Sequence, residues 1–135
     1  MGAWGVRAFE NDAAVDWTYE LDDVDDLSAV ERALAEVEEA GADYLELDAG
    51  ANALAACEVL ARLRGARGYT DPYTETADAW VASHSLTPSP DVVARGAAAI
   101  DRVLGPDCEL AELWAEADDT EWRRAVEELR SRLLA

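Results

Sequence analysis

Apolar residues recur at helical spacing along most of the chain, and Gly and Pro fall mostly between those stretches. After Trp4-Gly5, Glu10-Asn11-Asp12 offers an N-cap, and Ala14, Trp17 and Leu21 follow at helical steps, predicting a helix over about 11–23. The acidic run Asp22-Asp23-Val24-Asp25-Asp26 interrupts the pattern. Ser28 with Glu31 reads as a capping box ahead of the stripe Val30, Ala33, Leu34 and Val37, which Gly41 closes. Tyr44-Leu45-Glu46-Leu47 has the alternation of a short strand, but no second strand-like stretch offers it a partner. From about Asp48, the positions Ala53, Cys57, Leu60 and Leu63 predict a third helix, stopped by Gly65 and Gly68.

The second half is punctuated in the same way. A loop through Tyr69-Thr70-Asp71-Pro72 leads to a short helix of roughly 75–83 carrying Trp80. Ser89 and Pro90 read as N-cap and first helical residue, followed by Val93, Ala97, Ile100 and Leu104 and ended by Gly105-Pro106. Leu110, Leu113 and Trp114 mark a helix of one to three turns. Thr120 is placed to cap the last, in which Trp122, Val126, Leu129 and Leu133 share a face. Six to seven helices with short connections predict an all-α, single-domain, irregular or orthogonal bundle over residues 1–135.

Composition supports that reading and narrows it. Half of the residues are hydrophobic, which argues for a folded core, yet many of these are Ala. Thin Ala-rich helices must pack closely, with the five Trp and the Leu and Val set supplying most of the buried area. Thirty acidic residues stand against eleven basic ones, all Arg, for a formal charge of −19. The missing Lys reads as GC-rich codon usage, with a salt-adapted proteome as the alternative, since strong negative charge keeps proteins soluble. The charge disfavours direct nucleic-acid binding and anionic membrane, and favours a basic protein as partner through electrostatic steering. No apolar run reaches the length of a membrane span, and the N-terminus lacks the basic and apolar regions of a signal peptide, so a cytoplasmic location is expected.

Catalytic chemistry finds little to work with. His84 is the only histidine and has no nucleophile signature around it; near the end of a short helix it reads as a surface or last-turn residue. Cys57 and Cys108 lie about fifty positions apart, give no zinc-ligand spacing, and read as small buried hydrophobes kept reduced. The Asp22–Asp26 run departs from a calcium loop at Val24 and Leu27, and Gly65-Ala66-Arg67-Gly68 lacks the Lys-Ser/Thr of a phosphate cradle. No catalytic residue, metal ligand or cofactor is assigned. With 30 acidic residues, a working carboxylate pair is indistinguishable in the sequence from solubilising charge.

Aromatic residues concentrate near the two ends: Trp4, Phe9 and Trp17, then Trp114 and Trp122. They read as space-fillers of an Ala-rich core, with a Trp-lined groove for a partner as the alternative. The opening Met-Gly-Ala-Trp-Gly-x-x-x-Phe-Glu-Asn-Asp, followed by Ala14, Asp16 and Trp17, resembles a bacterial family, the domain of unknown function 4259. Ala-Ala-Cys-Glu-Val-Leu-Ala-Arg-Leu-Arg-Gly and Glu-Leu-Ala-Glu-Leu-Trp extend the resemblance over nearly the whole chain, whereas Val6-Arg7-Ala8 stands where members often carry a second Gly. The resemblance implies a small helical cytosolic protein and brings no activity or cofactor with it. Trp4, Phe9, Asn11, Asp12, Asp16 and Trp17 are the candidate binding residues on the opening motif. The leading expectation is a non-enzymatic protein-binding module. Its rivals are an immunity or antitoxin-like inhibitor of a basic toxin, a carboxylate- or metal-dependent enzyme, and a purely structural subunit.

Overall fold

A computed structural model describes residues 5–135, among which seven α-helices succeed one another. They are α1 (Asp12–Asp22), α2 (Ser28–Ala40), α3 (Leu47–Leu63), α4 (Glu75–Ser83), α5 (Pro90–Leu104), α6 (Glu109–Glu116) and α7 (Thr120–Leu134), with a 3-10 turn, Pro72–Thr74, running into α4. The architecture is all-α, as the periodicity predicts. Candidate residue Trp4 lies outside the described residues.

The bundle is organised around α3, which touches every other helix. Its sequence explains the position. Ala51, Ala53, Ala55, Ala56 and Ala61 present small side chains on all sides, so neighbouring backbones can approach closely, and a helix apolar all round belongs in the interior. One close approach is to α5 at Gly96. A Cβ there would stand 3.2 Å from a Leu133 methyl and 3.3 Å from the Cys57 sulfur, and the Cys57 thiol donates to the Gly96 carbonyl at 3.3 Å. Around this axis Phe9, Leu21, Leu34, Trp80, Ile100, Trp122 and Leu133 fill one continuous buried cluster.

The helix ends confirm some caps and correct others. The Asn11 side chain accepts from the Ala14 amide at 2.8 Å, and the Ser89 hydroxyl accepts from the Val92 amide at 3.2 Å with Pro90 as first helical residue. The capping box expected of Ser28 and Glu31 does not form. Ser28 is already inside α2, and its amide donates to the Asp26 carboxylate two residues earlier. Thr120 likewise opens α7 rather than capping it, with its amide and hydroxyl both donating to Asp118. In each case an Asp two residues back is the better acceptor, because a carboxylate in an Asx turn takes the amide before a hydroxyl can.

The ambiguous Tyr44–Leu47 stretch does find a partner. Leu45 pairs in parallel with Cys108: its amide donates to Asp107 at 2.8 Å, and its carbonyl accepts from Glu109 at 2.9 Å. The Glu109 carboxylate then accepts from the Leu47 amide at 2.9 Å, so the starts of α3 and α6 are tied together. The partner is a single extended residue before a helix, too short to carry a strand pattern of its own.

Candidate binding surface

Helix α1 separates the residues of the opening motif into two groups. Ala14, Trp17, Thr18 and Leu21 face the core at helical spacing, and Phe9 is fully buried ahead of the helix. Asn11 closes the first turn from both sides, accepting from Ala14 and donating its amide group to the Ala8 carbonyl at 3.2 Å. Phe9, Asn11 and Trp17 therefore fix the helix in place. Asp12 and Asp16 are exposed on the opposite side, and the same stripe continues through Tyr19, Glu20 and Asp23. Tyr19 is the most exposed large aromatic among the described residues, at 62 %. Glu20 meets Arg32 at 3.5 Å, while among the described residues no ion pair forms at Asp12, Asp16 or Asp23.

At the N-terminal end of α1 a cleft of about 450 Å³ opens between the Gly5–Asn11 segment, α3, α6 and α7. Trp114 and Trp122 form one wall, their rings nearly parallel with centroids 6.3 Å apart. Among the described residues, Trp114 and Trp122 line this cleft and Trp17 and Phe9 do not.

The cleft floor is ionic. Glu58, only 1 % exposed, accepts from Arg132 through both oxygens at 2.9 Å and from Arg62 at 3.1 Å. Arg62 in turn donates to Asp78 at 2.6 Å and to the Tyr69 carbonyl at 2.7 Å, and Arg132 donates to Glu128 at 2.6 Å and to the Ala66 carbonyl at 3.0 Å. Burial alone would make Arg132 easier to deprotonate, but its bonds to Glu58 and Glu128 outweigh that and hold it more firmly charged than a free guanidinium. Tyr69 sits between Arg7 and Arg62, whose guanidinium carbons lie 4.5 and 5.0 Å from its ring centre. Its hydroxyl is buried and faces the Phe9 amide without closing a hydrogen bond to it; burial raises its pKa. Glu58, Arg62 and Arg132 are matched within this network, which holds α3, α7 and the Tyr69 loop together.

Sequence reading passed over Glu58, Arg62 and Arg132. The signal was present for two of them: a Glu and an Arg four residues apart in an otherwise apolar helix must find partners inside. Arg132 lies 74 residues from Glu58 and carried no such mark. His84 caps α4 with its ring stacked on Trp80 at 4.4 Å and bonded to Asp25 at 3.0 Å. Cys57 and Cys108 are fully buried, and burial pushes the Cys57 thiol well above its ordinary range. Among the described residues, no three of His, Cys, Asp and Glu gather as a metal site would require, and no helix is long and apolar enough to cross a membrane.

A family model, the domain of unknown function DUF4259, matches residues 2–125 of the 135. The chain belongs to the DUF4259 family. No curated protein and no solved structure matches it. In this DUF4259 chain the matched span takes in the opening segment, the whole of α1, the α3 core helix and both cleft tryptophans. It ends within α7, before Arg132.

Proposed function

We propose that this DUF4259 chain is a non-enzymatic binding module that takes a basic protein on the outer face of α1. The observation that carries the reading is Tyr19, 62 % exposed, in line with Asp12, Asp16, Glu20 and Asp23. An exposed Tyr offers a large, stiff contact area at small entropic cost, and it is a residue type enriched at the centres of interfaces. Asp12, Asp16 and Asp23, which form no ion pair among the described residues, would meet Lys or Arg of the partner, and the formal charge of −19 would speed the encounter. Asn11 heads the helix and also lines the cleft, so a partner lying along α1 reaches the Trp114–Trp122 wall at that end. An inhibitor of a basic nuclease, covering its nucleic-acid surface with carboxylates, is the narrowest form of this reading.

Site-specific photocrosslinking tests it. A benzophenone amino acid at position 19 should give an adduct with a basic protein in native lysate at low salt, lost at 0.5 M salt, where exposed charges are screened beyond about 4–5 Å. The same group at Tyr44, also exposed but on the connection before α3, serves as the control. Equal adducts at both positions, or an adduct at position 19 that ignores salt, would remove the reading.

A further inference from the structure

The turn between α1 and α2 is attached to α4 by two side chains one helical turn apart. The Trp80 indole N–H donates to the Val24 carbonyl at 2.8 Å. His84 reaches the neighbouring residue, with Nε2 3.0 Å from an Asp25 oxygen and Nδ1 2.8 Å from the Trp80 carbonyl. Both partners of the imidazole are acceptors. A neutral ring has one N–H and one lone pair, so it can satisfy only one of them and sets its lone pair against the other. Only the doubly protonated ring makes both bonds, and in that form its charge also lies over the Trp80 indole, 4.4 Å away and tilted by 21°.

We propose that His84 is a pH-sensitive latch: protonated, it holds the Asp22–Asp26 turn on α4, and on losing its proton it lets Asp25 go. The charged groups acting on the ring are Asp25 of the α1–α2 turn, through its hydrogen bond, and Asp22, the last residue of α1, through its field. The Trp80 carbonyl adds to their effect, and together they outweigh partial burial and raise the imidazole pKa above 6.5. Release is inexpensive on the acid side because the Asp25 side chain is otherwise almost wholly in water. The Trp80–Val24 bond does not titrate in this range, so the turn loosens at its Asp25 end without leaving the protein. The sign follows from the raised pKa. The latch contributes fully at pH values below that of a free imidazole, and its contribution disappears as pH rises through the folded-state pKa. Opening leaves one more uncompensated carboxylate beside the Asp22-Asp23 end of α1. The latch stands on its own geometry and does not depend on any partner for α1.

NMR on the full chain tests it. The His84 Cε1–H resonance should titrate with a midpoint above 6.5, and 15N order parameters at Val24–Leu27 should fall between pH 6 and pH 8.5 while those of α5 stay constant. In Asp25→Asn the midpoint should drop and the turn should be equally mobile at both pH values. A wild-type midpoint at or below 6.5, or a turn with the same order parameters at both pH values, would overturn the latch. Both readings come from the wild-type protein, so neither depends on a variant that folds.

Discussion

Glu58 and Arg132 meet as a two-pronged pair, each Glu58 oxygen accepting from a different Arg132 nitrogen at 2.9 Å across 74 residues of chain. The pair joins the central helix to the last one beneath the cleft, with Arg62 on the same carboxylate. Removing the carboxylate leaves two guanidinium groups facing each other with little solvent to compensate. Glu58→Gln is therefore expected to destabilise the fold by about 3–5 kcal/mol, the range for a broken buried ion pair. Urea denaturation measures it. Replacing Glu58, Arg62 and Arg132 together by apolar residues should not restore wild-type stability, because the Ala66 and Tyr69 carbonyls would lose their donors.

Gly68 is a steric test of the same pair. A Cβ on Gly68 would collide with the Arg132 guanidinium, which is locked by bonds to Glu58, Glu128 and Ala66 and cannot swing aside freely. Gly68→Ala should cost about 1–3 kcal/mol in the wild-type background. In an Arg132→Ala background the obstacle is gone and the same substitution should be close to neutral. A double-mutant cycle on thermal unfolding reads the difference; additive effects would show that Gly68 answers to something else.

The sequence made the helices legible to within a residue or two because glycine, proline and Asx residues punctuate a clear apolar period. Asn11 and Ser89 were readable as caps, since each directly precedes a periodic run. Ser28 and Thr120 misled because the pattern of a capping box does not reveal a competing carboxylate two residues upstream. What the chain could not disclose is pairing across distance. Nothing around Leu45 names Cys108, and nothing around Arg132 names Glu58, since both contacts are set by how helices meet. The five described residues of the opening motif, Phe9, Asn11, Asp12, Asp16 and Trp17, share a stretch of sequence but not a surface. Helical geometry sends Trp17 inward and Asp16, its neighbour, outward.

Asn11 is the motif residue whose structural role is most open to measurement. It accepts from Ala14 and donates to Ala8, joining the cleft-lining segment to the first turn of α1. Asn11→Ala removes both bonds and should lower stability by about 1 kcal/mol, while Asn11→Asp retains the cap and loses only the Ala8 bond. Thermal melts of the two variants should therefore fall in the order wild type, Asp, Ala. An Ala variant as stable as wild type would show that the Gly5–Asn11 segment is held by packing of Phe9 alone.

The outer stripe of α1 should behave in the opposite way. Asp12, Asp16 and Tyr19 are exposed, make no ion pair among the described residues, and are not part of the buried cluster. Replacing them by Asn, Asn and Ser should change unfolding free energy by no more than about 0.5 kcal/mol each, and removing two negative charges from a chain at −19 relieves self-repulsion slightly. Fold and partner binding are thereby separable. A variant carrying all three changes should melt like the wild type yet lose most of its affinity for the protein crosslinked at position 19. The loss should be largest at low salt and shrink as salt rises, since the carboxylates act through a screened field and Tyr19 through contact. If the triple variant retained full affinity at every salt concentration, the binding face would lie elsewhere on the protein, and α1 would be only a core helix with a charged back.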